Sequence, residues 1–136
     1  MDYILQEDIE YIAQSDMVEW DMLKGKSVLV TGATGLIGSQ IVLALDRYNQ
    51  LHEGQIQIYA LARNEEKAAR VLADCSEYVR IVLGDIKMPI DITEEIDYII
   101  LLRLLLYRHQ VYDRKPPKIT TVLSHYPSYY LFVCSF

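Results

Sequence analysis

Cysteine, glycine, proline and basic charge are all scarce in this chain of 136 residues, and each scarcity excludes something. Two cysteines, Cys75 and Cys134, cannot build a multi-bridge framework, and their spacing fits no zinc or redox motif. Reduced thiols in a cytoplasmic protein are the reading they favour. Six glycines and four prolines, against 51% apolar residues, exclude collagen-like or disordered chains. With 13 basic and 19 acidic residues the net charge is −6, which argues against nucleic acid as a partner. The first ten residues carry four acids and no Lys or Arg, the reverse of a signal peptide. The most apolar run, Tyr98 to Tyr107, contains Arg103 and falls short of the ~20 residues that cross a bilayer. No membrane partner is expected.

What is present is unevenly distributed. Residues 1–100 hold 18 acidic and 8 basic residues, a net of −10, whereas 101–136 hold one acid and five bases, a net of +4. All six glycines precede residue 101, and Pro116, Pro117 and Pro127 follow it. The chain therefore divides into an N-terminal helical extension (1–24), an α/β half-domain (25–100) and a divergent tail (101–136).

Residues 2–22 are expected to form a helix, with Leu5, Ile9 and Ile12 as an apolar stripe that packs on the following domain or on a partner chain. Ser27 to Thr31 reads as a buried strand, followed by Gly32-Ala33-Thr34-Gly35-Leu36-Ile37-Gly38 and a helix with Ile37, Ile41, Ala44, Leu45 and Tyr48 at helical spacing. Ile56 to Leu61 is a second strand, Asn64 a helix N-cap, Val79 to Leu83 a third strand and Ile96 to Leu102 at least the start of a fourth. Alternation of this kind predicts an α/β fold: an incomplete Rossmann-type parallel sheet with flanking helices.

The glycine turn carries the chemistry. Gly32 lets the chain turn out of the strand, Gly35 lets backbone approach a pyrophosphate, and Gly38 lets the helix pack closely on the sheet. Unpaired amides at the helix N-terminus then meet the ligand's negative charge. Ser39 and Gln40 after Gly38 exclude a Walker P-loop. The competing reading is a turn that kept its shape and lost its ligand.

The run Thr31-Gly32-Ala33-Thr34-Gly35-Leu36-Ile37-Gly38 resembles the extended short-chain dehydrogenase/reductases, the NAD(P)-dependent epimerase/dehydratase family, over residues 26–100. The resemblance implies that Gly32, Gly35 and Gly38 line the pyrophosphate, with backbone contacts from Leu36 and Ile37. It implies further that Asp85 accepts from the adenine amino group and that Ile86 flanks the ring. An aspartate at a strand end is otherwise a turn former. Where an acid would favour NAD stands Ala62, followed by Arg63, which suits a 2′-phosphate and leans toward NADP; a solvated arginine at a helix start is the alternative. The implied partners are NAD or NADP and, in intact relatives, a nucleotide-sugar substrate, with a homo-oligomer left open.

The resemblance stops at Ile100. The family's His-Ala-Ala is replaced by Leu101-Leu102-Arg103, whose bulk crowds the nicotinamide side, and the catalytic Tyr-x-x-x-Lys pair is absent. Tyr107 is followed four residues on by Val111, Tyr112 by Pro116, and Tyr126 by Tyr130. Loss of one base from codons for His-Ala-Ala-Ser yields Leu-Leu-Arg-Leu, the sequence at 101–104, so a reading-frame change is one account of the tail. No catalytic residue is assigned. His52, His109 and His125 lack ligand spacing, so no metal is expected; Asp91, Glu94, Glu95 and Asp97 are read as a solvated face. The aromatic end (Tyr126, Tyr129, Tyr130, Phe132, Phe136) is read as an unpacked tail or a partner-binding patch. A catalytically incomplete enzyme fragment is the first functional expectation; a non-catalytic nucleotide-binding or interaction module is the second, and a chain with an unstable exposed sheet edge the third.

Overall fold

The computed structural model describes residues 3–103 together with the strand at 130–135. Five strands form one sheet in the order β3-β2-β1-β4-β5: β1 is Ser27–Val30, β2 Gln57–Ala62, β3 Val79–Leu83, β4 Tyr98–Arg103 and β5 Tyr130–Ser135. All four pairings are parallel. The chain builds outward from β1 through β2 to β3, then returns to the other side of β1 for β4. That reversal creates a crevice at the carboxyl ends of β1 and β4, the place where open α/β sheets take ligands. The expected Rossmann-type α/β fold is observed.

β1 and β2 lie inside the sheet, and their Val, Leu, Ile and Ala side chains are buried on both faces. One face carries Val28, Val30, Ile58 and Ala60 against helix α3 (Leu36–His52), whose Val42, Leu45 and Tyr48 complete the cluster. Val28, Val30, Ile56, Ile58 and Val42 are fully buried, and each such side chain stabilises the fold by about 1.5–3 kcal/mol. The opposite face carries Leu29, Tyr59, Leu61, Val82 and Ile99. There the cover among the described residues is the irregular β3–β4 connection, through Ile86, Ile90, Ile92 and Ile96.

The N-terminal extension is two helices where one was expected over 2–22. α1 spans Tyr3–Ala13 and α2 Trp20–Leu23, separated by turns in which Met17 donates to Ser15 Oγ and Trp20 Nε1 to the Ser15 carbonyl. Serine competes for backbone groups in this way and favours turns over helix interiors. The apolar stripe does what was expected of it: Ile9 is buried and Leu5 and Ile12 half-buried, on the same chain's α3. Arg47 of α3 reaches back to Glu10 at 2.6 Å.

Strand ends differ from expectation by one or two residues. Ile56 and Ile96 precede their strands as buried plugs, and Thr31 leaves the β1 ladder to open the glycine turn. α4 spans Glu65–Val71, and Asn64 caps it as expected, its side chain accepting from the Lys67 amide at 2.8 Å. The aromatic end departs from its reading as an unpacked tail: Tyr130–Ser135 pairs with β4 residue for residue, from Tyr98↔Tyr130 to Arg103↔Ser135. A β-branched and aromatic run satisfies strand preferences, and β4 offered an open edge. Tyr107, Tyr112, Tyr126, Tyr129, Phe136, His109 and His125 lie outside the described residues.

Candidate functional site

The carboxyl edge of the sheet brings the expected site residues to one side of the molecule. Parallel strands end together, so Val30, Ala62 and Leu83 open onto the same edge, followed by the glycine turn, Arg63 and Asp85. The turn leaves β1 at Thr31, which is buried at the β1–β4 seam. Its amide donates to the Ile100 carbonyl at 3.0 Å, and its hydroxyl accepts from the Leu102 amide at 2.9 Å. The Ala33 amide donates to the Leu61 carbonyl at 3.2 Å, hooking the turn to β2 as well.

Each glycine is required for its own reason. Gly32 has φ +61°, a left-handed conformation that side chains disfavour. Gly35 is extended and stands at the N-cap of α3, its amide donating to the Gly32 carbonyl at 2.9 Å. A Cβ there would lie 3.2 Å from that carbonyl, filling the concavity of the turn. Gly38 is buried in the first turn of α3, where a Cβ would come within 2.0 Å of the Gly32 carbonyl oxygen and 2.7 Å of its carbon. Both obstacles are backbone and cannot swing aside.

α3 receives no side-chain cap. The Ser39 amide reaches the Gly35 carbonyl at 3.0 Å, so it is the first to find a partner inside the helix. The amides of Leu36, Ile37 and Gly38 precede it and have no carbonyl one turn back. Gly32, Gly35, Leu36 and Ile37 are exposed, Leu36 at 80% and Ile37 at 40%, so the turn and the start of α3 lie at the surface, whereas Gly38 is buried. Long helices concentrate positive potential at such an end, and α3 has 17 residues. The residues present therefore fit a pyrophosphate.

Flanking residues divide more evenly between ligand and structural roles. Among the described residues Arg63 is exposed and enters no ion pair. It follows Ala62, buried at the end of β2. Asp85 uses Oδ1 to accept from the Lys87 amide at 3.0 Å, while its carbonyl accepts from Met88 at 2.9 Å. This is the turn-forming role of an aspartate, and it leaves Oδ2 for a further donor. Ile86 is half-buried against the cluster that includes Leu29 and Leu61. Gly84, between β3 and Asp85, donates to the Ala62 carbonyl at 3.0 Å and keeps the surface between β2 and β3 low.

Other titratable groups serve the scaffold. The acidic group at 91–97 is not simply a solvated face: Asp97 Oδ2 accepts from the Ser27 amide at 2.9 Å, and Glu94 pairs with Arg80. Hydrogen bonds from its own backbone amide and from Thr93, together with Arg80, hold the Glu94 carboxyl below the usual glutamate range. Burial, with Asp46 and Asp74 nearby, pushes the Cys75 thiol up to about 12, so it is no nucleophile at neutral pH. His52 stacks obliquely on Tyr48, which lies flat against Trp20 at 4.2 Å. Among the described residues no group of three or more His, Cys, Asp or Glu could hold a metal, and no helix is long and apolar enough to cross a membrane. The Thr31 hydroxyl at the seam was missed from sequence, because a threonine ending a strand carries no distinguishing pattern.

No family model matches the chain, and no curated protein does. Among solved structures it is similar to one from Shigella flexneri 2a, assigned as a short chain dehydrogenase, at 21% identity and a TM-score of 0.42. That likeness is of fold alone. It covers 59% of this chain, which spans 40% of the other's length.

Proposed function

We propose that this chain is the NAD(P)-binding portion of a nucleotide-sugar epimerase/dehydratase-like protein, without the groups for catalysis. The observation that carries the reading is the first turn of α3. Three amides without a hydrogen-bond partner among the described residues, no side-chain cap and glycines whose replacement would fill or clash with the turn would make a cradle for a diphosphate. Gly32, Gly35, Leu36, Ile37 and Gly38 hold the pyrophosphate in this account. Asp85 Oδ2 and Ile86 would meet the adenine, and Arg63, without an ion pair among the described residues, leans the choice toward a 2′-phosphate and hence NADP.

A nicotinamide, when bound, supplies hydride transfer; acid–base help would have to come from the chain. A tyrosine works as a base near neutral pH only when neighbours lower its pKa from ~10. The sequence holds no Tyr-x-x-x-Lys to do so. Binding without turnover is therefore expected, in a cytoplasmic protein with reduced thiols. Paired β4 and β5 also favour a second reading, a non-catalytic nucleotide-binding module, since the sheet continues past residue 100 into the tail.

Calorimetric titration of the full chain with ADP-ribose, NADH and NADPH tests the reading, with turnover on sugar nucleotides assayed beside it. Binding is expected for an adenine diphosphate ligand, stronger with a 2′-phosphate, and turnover at background. Gly35→Ala has φ and ψ that suit alanine but a Cβ 3.2 Å from the Gly32 carbonyl; it should reduce affinity by about tenfold or more, with a melting curve run beside the titration to check the fold. Absence of binding by all three ligands would refute the proposal.

A further inference from the structure

Between the turns that join α1 to α2 and the last turns of α3 lies an open cavity of about 500 Å³, a volume in the range of small-ligand sites. The glycine turn stands at the other end of α3, about 25 Å away for 17 residues at ~1.5 Å each. Aromatic rings form one wall. Trp20 and Tyr48 both line the cavity and stack, with centroids 4.2 Å apart and planes 6° from parallel. His52, also in the lining, is tilted by 34° against Tyr48. The Trp20 indole is pinned by its Nε1, which donates to the Ser15 carbonyl at 3.0 Å. Tyr48 is buried, Trp20 half-buried and His52 exposed. Fixed aromatic surface attracts cations through the ring quadrupole, and tryptophan does so most strongly.

The charges around the rings have one sign. Asp16, Glu19 and Asp21 belong to the lining, and no lysine or arginine does. Asp21 faces Lys24 at 3.5 Å, whereas Asp16 and Glu19 enter no ion pair among the described residues. The C-terminal end of α3 adds the negative pole of a 17-residue helix, and His52 is the basic residue of its last turn. These carboxylates do not converge as metal ligands: among the described residues no group of three or more His, Cys, Asp or Glu could hold a metal ion.

A compact ammonium is strongly hydrated and keeps its water at an open site. A methylated ammonium is weakly hydrated and gains from aromatic contact, so rings with dispersed negative charge suit it better. We propose that this cavity is a second ligand site, taking a small quaternary ammonium compound with its methyl groups against Trp20 and its charge offset by Asp16 and Glu19. The site is independent of the diphosphate reading, and its electrostatics disfavour any anion.

Trp20 is the chain's single tryptophan, so its fluorescence reports on the cavity. The full-length chain is titrated with choline at constant ionic strength, and in parallel with dimethylbutanol, the uncharged carbon isostere of choline. Choline is expected to change the emission saturably at millimolar concentration and to bind about tenfold or more tightly than the isostere. The double variant Asp16→Asn, Glu19→Gln is expected to weaken choline about tenfold and leave the isostere unchanged. Both side chains are exposed, and a melting curve checks the fold. Should the variant fail to fold, the ratio of choline to isostere in the unaltered chain decides alone. Equal binding of the isostere would leave an apolar cavity only and overturn the proposal. No saturable change with choline, or a folded double variant that binds choline as before, overturns it as well.

Discussion

Single residues decide most of what this edge can hold, and the glycines are not equivalent. Gly38 is a packing glycine, because any side chain there collides with the backbone of Gly32 and Ala33. Gly38→Ala should therefore cost about 3 kcal/mol, seen as a fall in melting temperature of roughly 10 °C, before any ligand is added. Gly35 is the glycine that the proposed diphosphate would approach, with φ and ψ that suit alanine but a Cβ 3.2 Å from the Gly32 carbonyl. The spacing of three glycines was plain in the sequence; which of them serves packing and which serves approach was not. That division depends on where the Gly32 carbonyl points, which is set by its φ of +61°. Arg63 and Asp85 show the same limit. Their positions at strand ends were legible, whereas the Asx turn made by Asp85 depends on the path of the following two residues.

At the level of elements, α3 is tied to the start of β2 by a side chain near its C-terminal end. Asn49, 5% exposed, donates to the Ile56 carbonyl and accepts from the Ile56 amide, both at 2.9 Å. This double bond sets where β2 begins, and so sets the height of Ala62 at the other end of the strand. Removing it leaves two buried backbone groups of Ile56 unpaired, at about 1–3 kcal/mol each. Asn49→Ala should consequently lower stability by about 2–4 kcal/mol in urea unfolding, a larger loss than its exposed neighbours would give. Strands β1, β2 and β4 were legible because buried parallel strands read as continuous apolar runs, and β3 because its Val and Ile residues favour strands although Arg80 interrupts it. α1 and α2 were read as one helix because the turn between them rests on Ser15, and serine side-chain bonding leaves no periodic trace. Tyr130–Ser135 was misjudged for a related reason: a strand needs a partner edge, and the partner is β4, distant in sequence.

Across the whole molecule, the sheet order and the position of the site follow from one another. Reversal of direction after β3 places β4 beside β1, and the glycine turn issues from β1 at that seam. Topology alone would offer a site to any dinucleotide. A parallel sheet was inferable from the alternation of strand and helix. The register of β4 was not, because the pairing Val30↔Ile100 joins residues distant in sequence.

Amide chemical shifts recorded while ADP is titrated into the isotopically labelled chain test the central claim most directly. Saturable shifts are predicted to centre on Gly32, Gly35, Leu36, Ile37 and Gly38, the glycine turn and first residues of α3. Shifts centred elsewhere, for example on α1 and α2, or no saturable shift at millimolar ADP, would contradict the assignment of this turn as a diphosphate cradle.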